Sequence, residues 1–290
     1  MVNNIRRKLQ YGLLLPDFGK AMHPRALIDL AGEAEDCGWD GFFLWDHMVE
    51  WNRHTPVYDA FTCLAAIATN TKHIRIGTAV TPIPLLQPWI IARQTITLDR
   101  LSNGRLILGV GLGGKESCDY ERFGESADNK VLAEKLDESL DIIAGFWSGK
   151  PFRYAGKHYV LKDPVFLPHS IQKPRIPIWV AGYWPRKGPF RRAAKWDGVI
   201  PLRFPGNLLE PDELRTVVEY IKTLRGNADD FAVAIIGSTM NQRRNVEKVE
   251  RFASAGMTWW LENLYAKRDS PESVRSLIRL GPPRIKSQTL

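Results

Sequence analysis

Eight short runs of mostly continuous apolar residues, each followed by a segment with helical spacing, constrain this chain more than any other feature. The runs are LQYGLLLP (9–16), GFFLWDH (41–47), HIRIGTAV (73–80), RLILGVGLG (105–113), IPIWVAGY (176–183), GVIPL (198–202), FAVAIIG (231–237) and TWWLENL (258–264). Strands with one solvated face alternate apolar and polar residues. Strands covered on both faces do not, and that is the habit of a parallel sheet layered by helices.

The segments between the runs supply those helices. Leu132, Leu136, Leu140, Ile143 and Trp147 recur at spacings of four and three and share one face, as do Leu214, Val217, Val218, Ile221 and Leu224. Ser270-Pro271 reads as the start of a last helix, with serine capping free N–H groups and proline in the first turn. Roughly eight strand–helix units predict a (β/α)8 TIM barrel, with a doubly wound open sheet as the alternative. At 290 residues the chain is long enough for two domains, but barrels reach this size as one. We therefore expect a single domain over 1–290. Residues 149–175, rich in Pro, Gly and aromatics, break the rhythm and predict an excursion with a small hairpin before the fifth strand.

Composition excludes several classes. The mean hydropathy is −0.25, and no apolar run approaches the roughly 20 residues of a membrane span. The N-terminal MVNNIRRKLQ is followed by only a short apolar run, so a cytoplasmic address without a signal peptide is expected. Cys37, Cys63 and Cys118 lie far apart without a CxxC pair, which argues against disulfides and a zinc site; Cys37 and Cys63 read as core residues. No metal is assigned to the scattered histidines. The net charge of +8 is spread along the chain without a basic tail or nucleic-acid motif, so an anionic small ligand is expected rather than nucleic acid.

Catalytic groups of such barrels sit at the C-terminal ends of strands. FFLW then reads as barrel wall, and Asp46-His47 as the groups it delivers to the mouth. His47 titrates near neutral pH and suits acid–base work, with Asp46 to orient or charge-tune it. The third run ends Gly77-Thr78-Ala79-Val80-Thr81, small enough for backbone to approach a planar ligand. The fourth ends with Gly109, Gly111, Gly113 and Gly114, which suit a phosphate or ring edge although neither a Walker loop nor GxGxxG is present. The fifth ends Ala181-Gly182-Tyr183-Trp184-Pro185-Arg186-Lys187, a glycine turn beside cations that suits a phosphate. Trp196-Asp197-Gly198 reads as a helix-to-strand turn with glycine supplying an unusual backbone angle, and Trp259-Trp260 as barrel core or helix-layer packing. Glu262 is a lesser candidate for the mouth.

The order FFLWDH, IRIGTAVTP, TLDRLSNGRLILGVGLG and PIWVAGYWPR…AAKWDG resembles the bacterial luciferase-like monooxygenase superfamily over roughly residues 9–202, with Leu98 to Arg105 its most specific stretch. The resemblance implies a luciferase-like barrel and an oxidoreductase using FMN and oxygen or the deazaflavin coenzyme F420. Asp46-His47 followed by Trp51 resembles the deazaflavin branch, whose sugar-phosphate dehydrogenases place such a His and Trp beside the reacting carbon. Gly77 to Thr81 matches the place where the family carries a non-prolyl cis peptide behind the deazaflavin ring, and the matching bond is Ala79–Val80. Those dehydrogenases also carry a glutamate after the fourth strand, where this chain has Gly113-Gly114, with Glu116 and Glu121 further on. Their sugar-phosphate-binding Lys and Arg have no clear match here.

The expected function is therefore hydride transfer between F420 and a small organic substrate. His47, Asp46 and Trp51 form the expected catalytic set. Asp46, Thr78, Ala79, Val80, Gly111, Gly113, Gly182, Tyr183 and Arg186 are expected at the cofactor. The alternatives are an FMN-dependent monooxygenase and a non-catalytic flavin-binding barrel. The resemblance further implies a homodimer formed through helices.

Overall fold

The computed structural model describes residues 9–49, 54–113, 119–203, 208–226, 230–239, 243–265 and 270–285. In chain order it runs β1 (Gln10–Leu15), α1 (Pro24–Asp36), β2 (Gly41–Leu44), α2 (Ala60–Asn70), β3 (Arg75–Pro82), α3 (Pro88–Leu101), β4 (Leu106–Gly111), α4 (Asp119–Arg122) and α5 (Asn129–Trp147). A hairpin of β5 (Tyr154–Ala155) and β6 (Val160–Leu161) follows. Then come β7 (Ile178–Trp184), α6 (Lys187–Ala193), β8 (Gly198–Arg203), α7 (Pro211–Arg225), β9 (Ala232–Gly237), α8 (Arg243–Ser254), β10 (Trp259–Asn263) and α9 (Pro271–Arg279).

Apart from the β5–β6 hairpin, the strands close into one barrel in the order β1-β10-β9-β8-β7-β4-β3-β2. Every neighbouring pair in that ring is parallel. This is a (β/α)8 barrel, and closure excludes the open doubly wound sheet. The side chains explain the continuous apolar runs. Leu13, Leu15, Phe42 and Val180 face the helix layer, whereas their neighbours Leu14, Phe43 and Trp179 face the lumen. The lumen is filled by stacked Phe43 and Trp179, ring centroids 5.5 Å apart, with Trp259 edge-on to Trp179 at 5.3 Å. Trp260 lies in the helix layer, so the Trp259-Trp260 pair serves both cores.

The helix faces are buried as the spacing predicts, except that Leu224 is exposed at the end of α7. Ser270 caps α9, its hydroxyl accepting the Ser273 N–H at 3.3 Å, with Pro271 in the first turn. The excursion forms the predicted hairpin and returns along α5, where the Glu138 carboxylate accepts the backbone N–H groups of Lys157, His158 and Tyr159. Cys63 is buried and Cys37 packs partly buried against the same core, while Cys118 lies outside the described residues. Gly198 departs from expectation. It has no left-handed backbone; a Cβ there would meet Trp179 Cδ1 at 2.4 Å, so close packing against the lumen plug excludes a side chain.

The stretch Leu98 to Arg105 is an anchor at the end of the barrel away from the mouth. Asp99 is fully buried, and its carboxylate accepts the N–H groups of Ile171 and Gln172, fixing the excursion before β7. Arg105 donates to Ala68 O, Thr71 O, Thr71 Oγ1, Ile74 O and Ser102 O, all at 2.7–2.9 Å. It thereby ties the C-terminus of α2 to β3 and β4. Buried carbonyls left without donors each cost on the order of 1–3 kcal/mol. Arg105→Ala should lower stability by about 3 kcal/mol or more, read as a lower urea midpoint with unchanged slope.

Candidate functional site at the barrel mouth

Because the barrel strands are parallel, their C-terminal ends open on one rim. Val80, Ala181, Leu202, Ile236 and Trp45 pack partly buried over the lumen core and form an apolar floor there. His47 and the small residues of β3 belong to this rim, as does Gly182, which lies within β7 near its C-terminal end rather than in the expected turn.

β2 ends at Leu44, so Trp45, Asp46 and His47 lie just beyond the strand. Trp45 is partly exposed rather than barrel wall, and it stacks on Tyr265 with centroids 5.0 Å apart and planes 7° apart. Its ring also lies 5.4 Å from the His47 ring. Phe18 meets His47, Trp45 and Tyr265 edge-on at 5.4, 5.8 and 6.1 Å. One corner of the mouth is therefore aromatic, built from the ends of β1, β2 and β10.

The partner of His47 is Asp17, not Asp46 as expected. Asp17 is fully buried two residues past β1. Its Oδ2 accepts the His47 backbone N–H at 2.8 Å, and its Oδ1 lies 3.5 Å from His47 Nδ1. The Tyr58 N–H donates to Asp17 O at 2.9 Å and the Gly19 N–H to Pro56 O at 2.9 Å, so the loop after β2 is held against the loop after β1. Asp17 and Tyr265 were missed in the sequence. Both sit two residues beyond a strand end, where the rule that singled out His47 applies equally.

Asp46 turns toward β3 and accepts the Thr81 hydroxyl at 2.7 Å. Although the residue keeps some exposure, its carboxyl is enclosed by protein. That burial pushes it up to about 7, with the charges of Asp17 and Asp59 adding to the rise and the Thr81 bond and His47 opposing it. The Ala79–Val80 peptide is cis, as the resemblance implies. It falls where the β3–β4 register shifts between Thr78 and Thr81. Thr78 is buried and donates to Gly109 O at 2.8 Å.

The remaining predicted residues spread along β4 and β7. A Cβ on Gly111 would meet Val80 Cγ2 at 2.8 Å, so glycine lets β4 lie against the floor. Gly113 has φ +78° and packs near Tyr120, whose hydroxyl donates to Leu112 O. Gly182 is turned away from the lumen: a Cβ would meet Pro189 Cβ at 2.3 Å, so its side position is occupied by α6. Tyr183 is half-buried and Arg186 exposed at the rim. Glu262 points into the helix layer, accepting the Trp260 indole N–H at 2.8 Å and the Thr239 N–H at 2.6 Å. Trp51, Gly114 and Glu116 lie outside the described residues; Glu121 is exposed.

A parallel barrel with an aromatic–carboxylate corner on one side of an apolar floor defines an α/β-barrel of the enzyme type. The luciferase-like monooxygenase profile matches residues 9–273. The chain belongs to that family, a class of oxidoreductases. It is 31% identical over 216 residues, 73% of its length, to an F420-dependent glucose-6-phosphate dehydrogenase of Amycolatopsis mediterranei (strain U-32), and it spans 62% of that relative's own length. Among solved structures it matches a coenzyme F420-dependent tetrahydromethanopterin reductase from Methanopyrus kandleri, with TM-score 0.74, 19% identity, and 94% and 98% of the two chains covered. It also matches the oxygenating constituent of the 3,6-diketocamphane monooxygenase from Pseudomonas putida in complex with FMN, with TM-score 0.75, 17% identity, and 98% and 99% covered.

Asp46 gives a pH signature. An unfolded aspartate titrates near 3.9, whereas this one titrates near 7 in the fold. The folded state binds the proton more tightly, so the stability this group contributes is complete below about pH 4 and is lost as pH rises to about 7. Asp46→Asn should therefore gain on wild type with pH, by up to about 3 kcal/mol between pH 4.5 and 8. Thermal unfolding of both proteins across that range checks it; parallel curves would mean an ordinarily solvated carboxyl.

Proposed function

We propose that this chain transfers hydride between the deazaflavin coenzyme F420 and a small organic substrate, with His47 as the proton-transferring group. The buried Asp17 against His47, at the edge of the apolar floor, is the observation that carries the reading. The 31% identity to an F420-dependent relative supports deazaflavin over FMN.

The floor residues fit a flat ring. Val80 and Ala181 are small, apolar and partly exposed, and Gly111 adds no bulk beside them. Thr78, Ala79 and Val80 would back the ring. Gly111 and Gly113 would border it, and Asp46 would meet a polar edge. Gly182 would contribute backbone, with Tyr183 and Arg186 toward an anionic tail. When bound, the coenzyme supplies hydride acceptance or donation; the protein holds, orients and desolvates.

His47 takes the proton from a substrate hydroxyl in the oxidising direction and returns it in the other. Asp17 fixes the imidazole through its Nδ1 side and favours the charged form that proton uptake creates. Its bond to the His47 backbone keeps the ring at the rim. Trp51 would flank the substrate beside them. The substrate is a small molecule; neither nucleic acid nor a membrane belongs to the proposal, and no helix among the described residues is long and apolar enough to cross a membrane. A homodimer through the barrel helices completes it, with exposed Ile90 and Leu101 on α3 as apolar contact candidates.

Titration with F420 and with FMN, followed by tryptophan fluorescence, tests the cofactor, and oxygen uptake tests the chemistry. The expected result is tighter F420 binding and turnover without oxygen. Tighter FMN binding with oxygen consumption would replace the reading by a monooxygenase. Cofactor binding without reduction by any donor would make it a non-catalytic barrel. His47→Ala should lower kcat by roughly 10²–10⁴-fold while F420 affinity stays within about twofold; full turnover in that variant removes the assigned base.

A further inference from the structure

We propose that Trp45 and Tyr265 select the substrate at His47, and that the compound taken there is an uncharged apolar or aromatic alcohol or carbonyl compound rather than a phosphorylated sugar. The inference rests on the oxidoreductase reading above and deepens it.

Its first ground is the surface a substrate meets on reaching His47. Trp45 and Tyr265 are stacked, both partly exposed, and Trp45 lies 5.4 Å from the imidazole. Behind them Phe18 is fully buried and meets both rings and His47 edge-on. Wide apolar faces with one positioned polar group recognise an apolar body carrying one oxygen. A polyhydroxylated sugar would lose its water there without replacing its hydrogen bonds.

The second ground is charge. Among the described residues, the acidic groups of this corner are Asp17, 3.5 Å from His47, and Asp46, with Asp59 close enough to act on Asp46. A phosphate dianion brought to His47 would meet carboxylates. Among the described residues, exposed cations follow several strands: Lys20 after β1, Arg186 after β7 and Arg203 at the end of β8, the last paired with Glu213 at 3.6 Å. In the ring order β1 stands opposite β7 and β2 opposite β8, so Arg186 and Arg203 lie across the mouth from Asp17 and Asp46. An anionic cofactor tail suits Arg186 and Arg203, and the buried carboxyls of Asp17 and Asp46 disfavour a substrate that brings negative charge to His47.

The test uses the full chain with 1-phenylethanol and glucose 6-phosphate as probes. With F420 bound, kcat/KM for 1-phenylethanol should exceed that for glucose 6-phosphate at least tenfold. Trp45→Ala and Tyr265→Ala should each lower the 1-phenylethanol value roughly tenfold, the scale of one lost aromatic contact. Trp45→Phe should restore most of it, and in Tyr265→Ala F420 affinity should stay within twofold. Glucose 6-phosphate as the better substrate overturns the proposal, as do alanine variants that keep wild-type kcat/KM for 1-phenylethanol. Saturation-transfer NMR of 1-phenylethanol on the cofactor-free chain separates this proposal from the one beneath it. If neither F420 nor FMN binds, the cofactor reading has failed. Probe binding that weakens in Trp45→Ala and recovers in Trp45→Phe still upholds the aromatic wall; probe binding indifferent to both substitutions overturns it.

Discussion

β1 and β10, the first and last strands of the barrel, pair in parallel from Gln10 against Trp259 to Leu14 against Asn263. An open sheet would leave the two strand ends far apart, and the corner of the mouth would not exist. Closure puts Asp17 and Phe18, just past β1, next to Tyr265, just past β10, and next to Trp45 and His47, just past β2. The lumen plug of Phe43, Trp179 and Trp259 joins β2, β7 and β10 across the ring. Burying large aromatic side chains of this kind is each worth roughly 1.5–3 kcal/mol or more. The core that favours a closed ring over a flat sheet therefore also assembles the site.

Two carboxyls in one corner are held by different means. Asp17 has no exposure, but it accepts the His47 N–H and lies beside a ring that becomes cationic on taking a proton. Asp46 has a hydroxyl as its hydrogen-bond donor and carboxylates as neighbours, so near neutral pH it is close to half protonated. Here Asp17 stands behind the imidazole, and Asp46, its carboxyl pushed up by burial, faces β3, where the ligand-backing backbone lies.

The fold was legible because its signal is periodic and repeated. Each apolar run became a strand within a few residues, since lumen and helix layer both demand apolar side chains. The hairpin and the Ser270 cap followed from local chemistry. What failed depended on three-dimensional neighbours. Gly198 was read as a turn residue, but its glycine answers to Trp179, distant in the chain and adjacent only across the β7–β8 ladder. Asp46 was paired with His47 because they are consecutive. Consecutive residues past a strand diverge, and the partner of His47 came from position 17, brought in by the bridge between Phe18 and Val57.

The same contrast separates scaffold from chemistry in the stretches most typical of the family. Leu98 to Arg105 is the most specific of them, yet Asp99 and Arg105 spend their hydrogen bonds on backbone groups of α2, β3 and the excursion, remote from the strand C-termini. Those residues fix where β3 and β4 begin, and Gly109 then allows β4 to approach so closely that a Cβ would lie 2.1 Å from Thr78 O. With that approach fixed, Ala79 and Val80 reach the floor of the mouth. Scaffold contacts at one end of the barrel thus set ligand-facing geometry at the other, while Trp45 and Tyr265, partly exposed at the rim, are placed to decide which molecule is accepted beside His47.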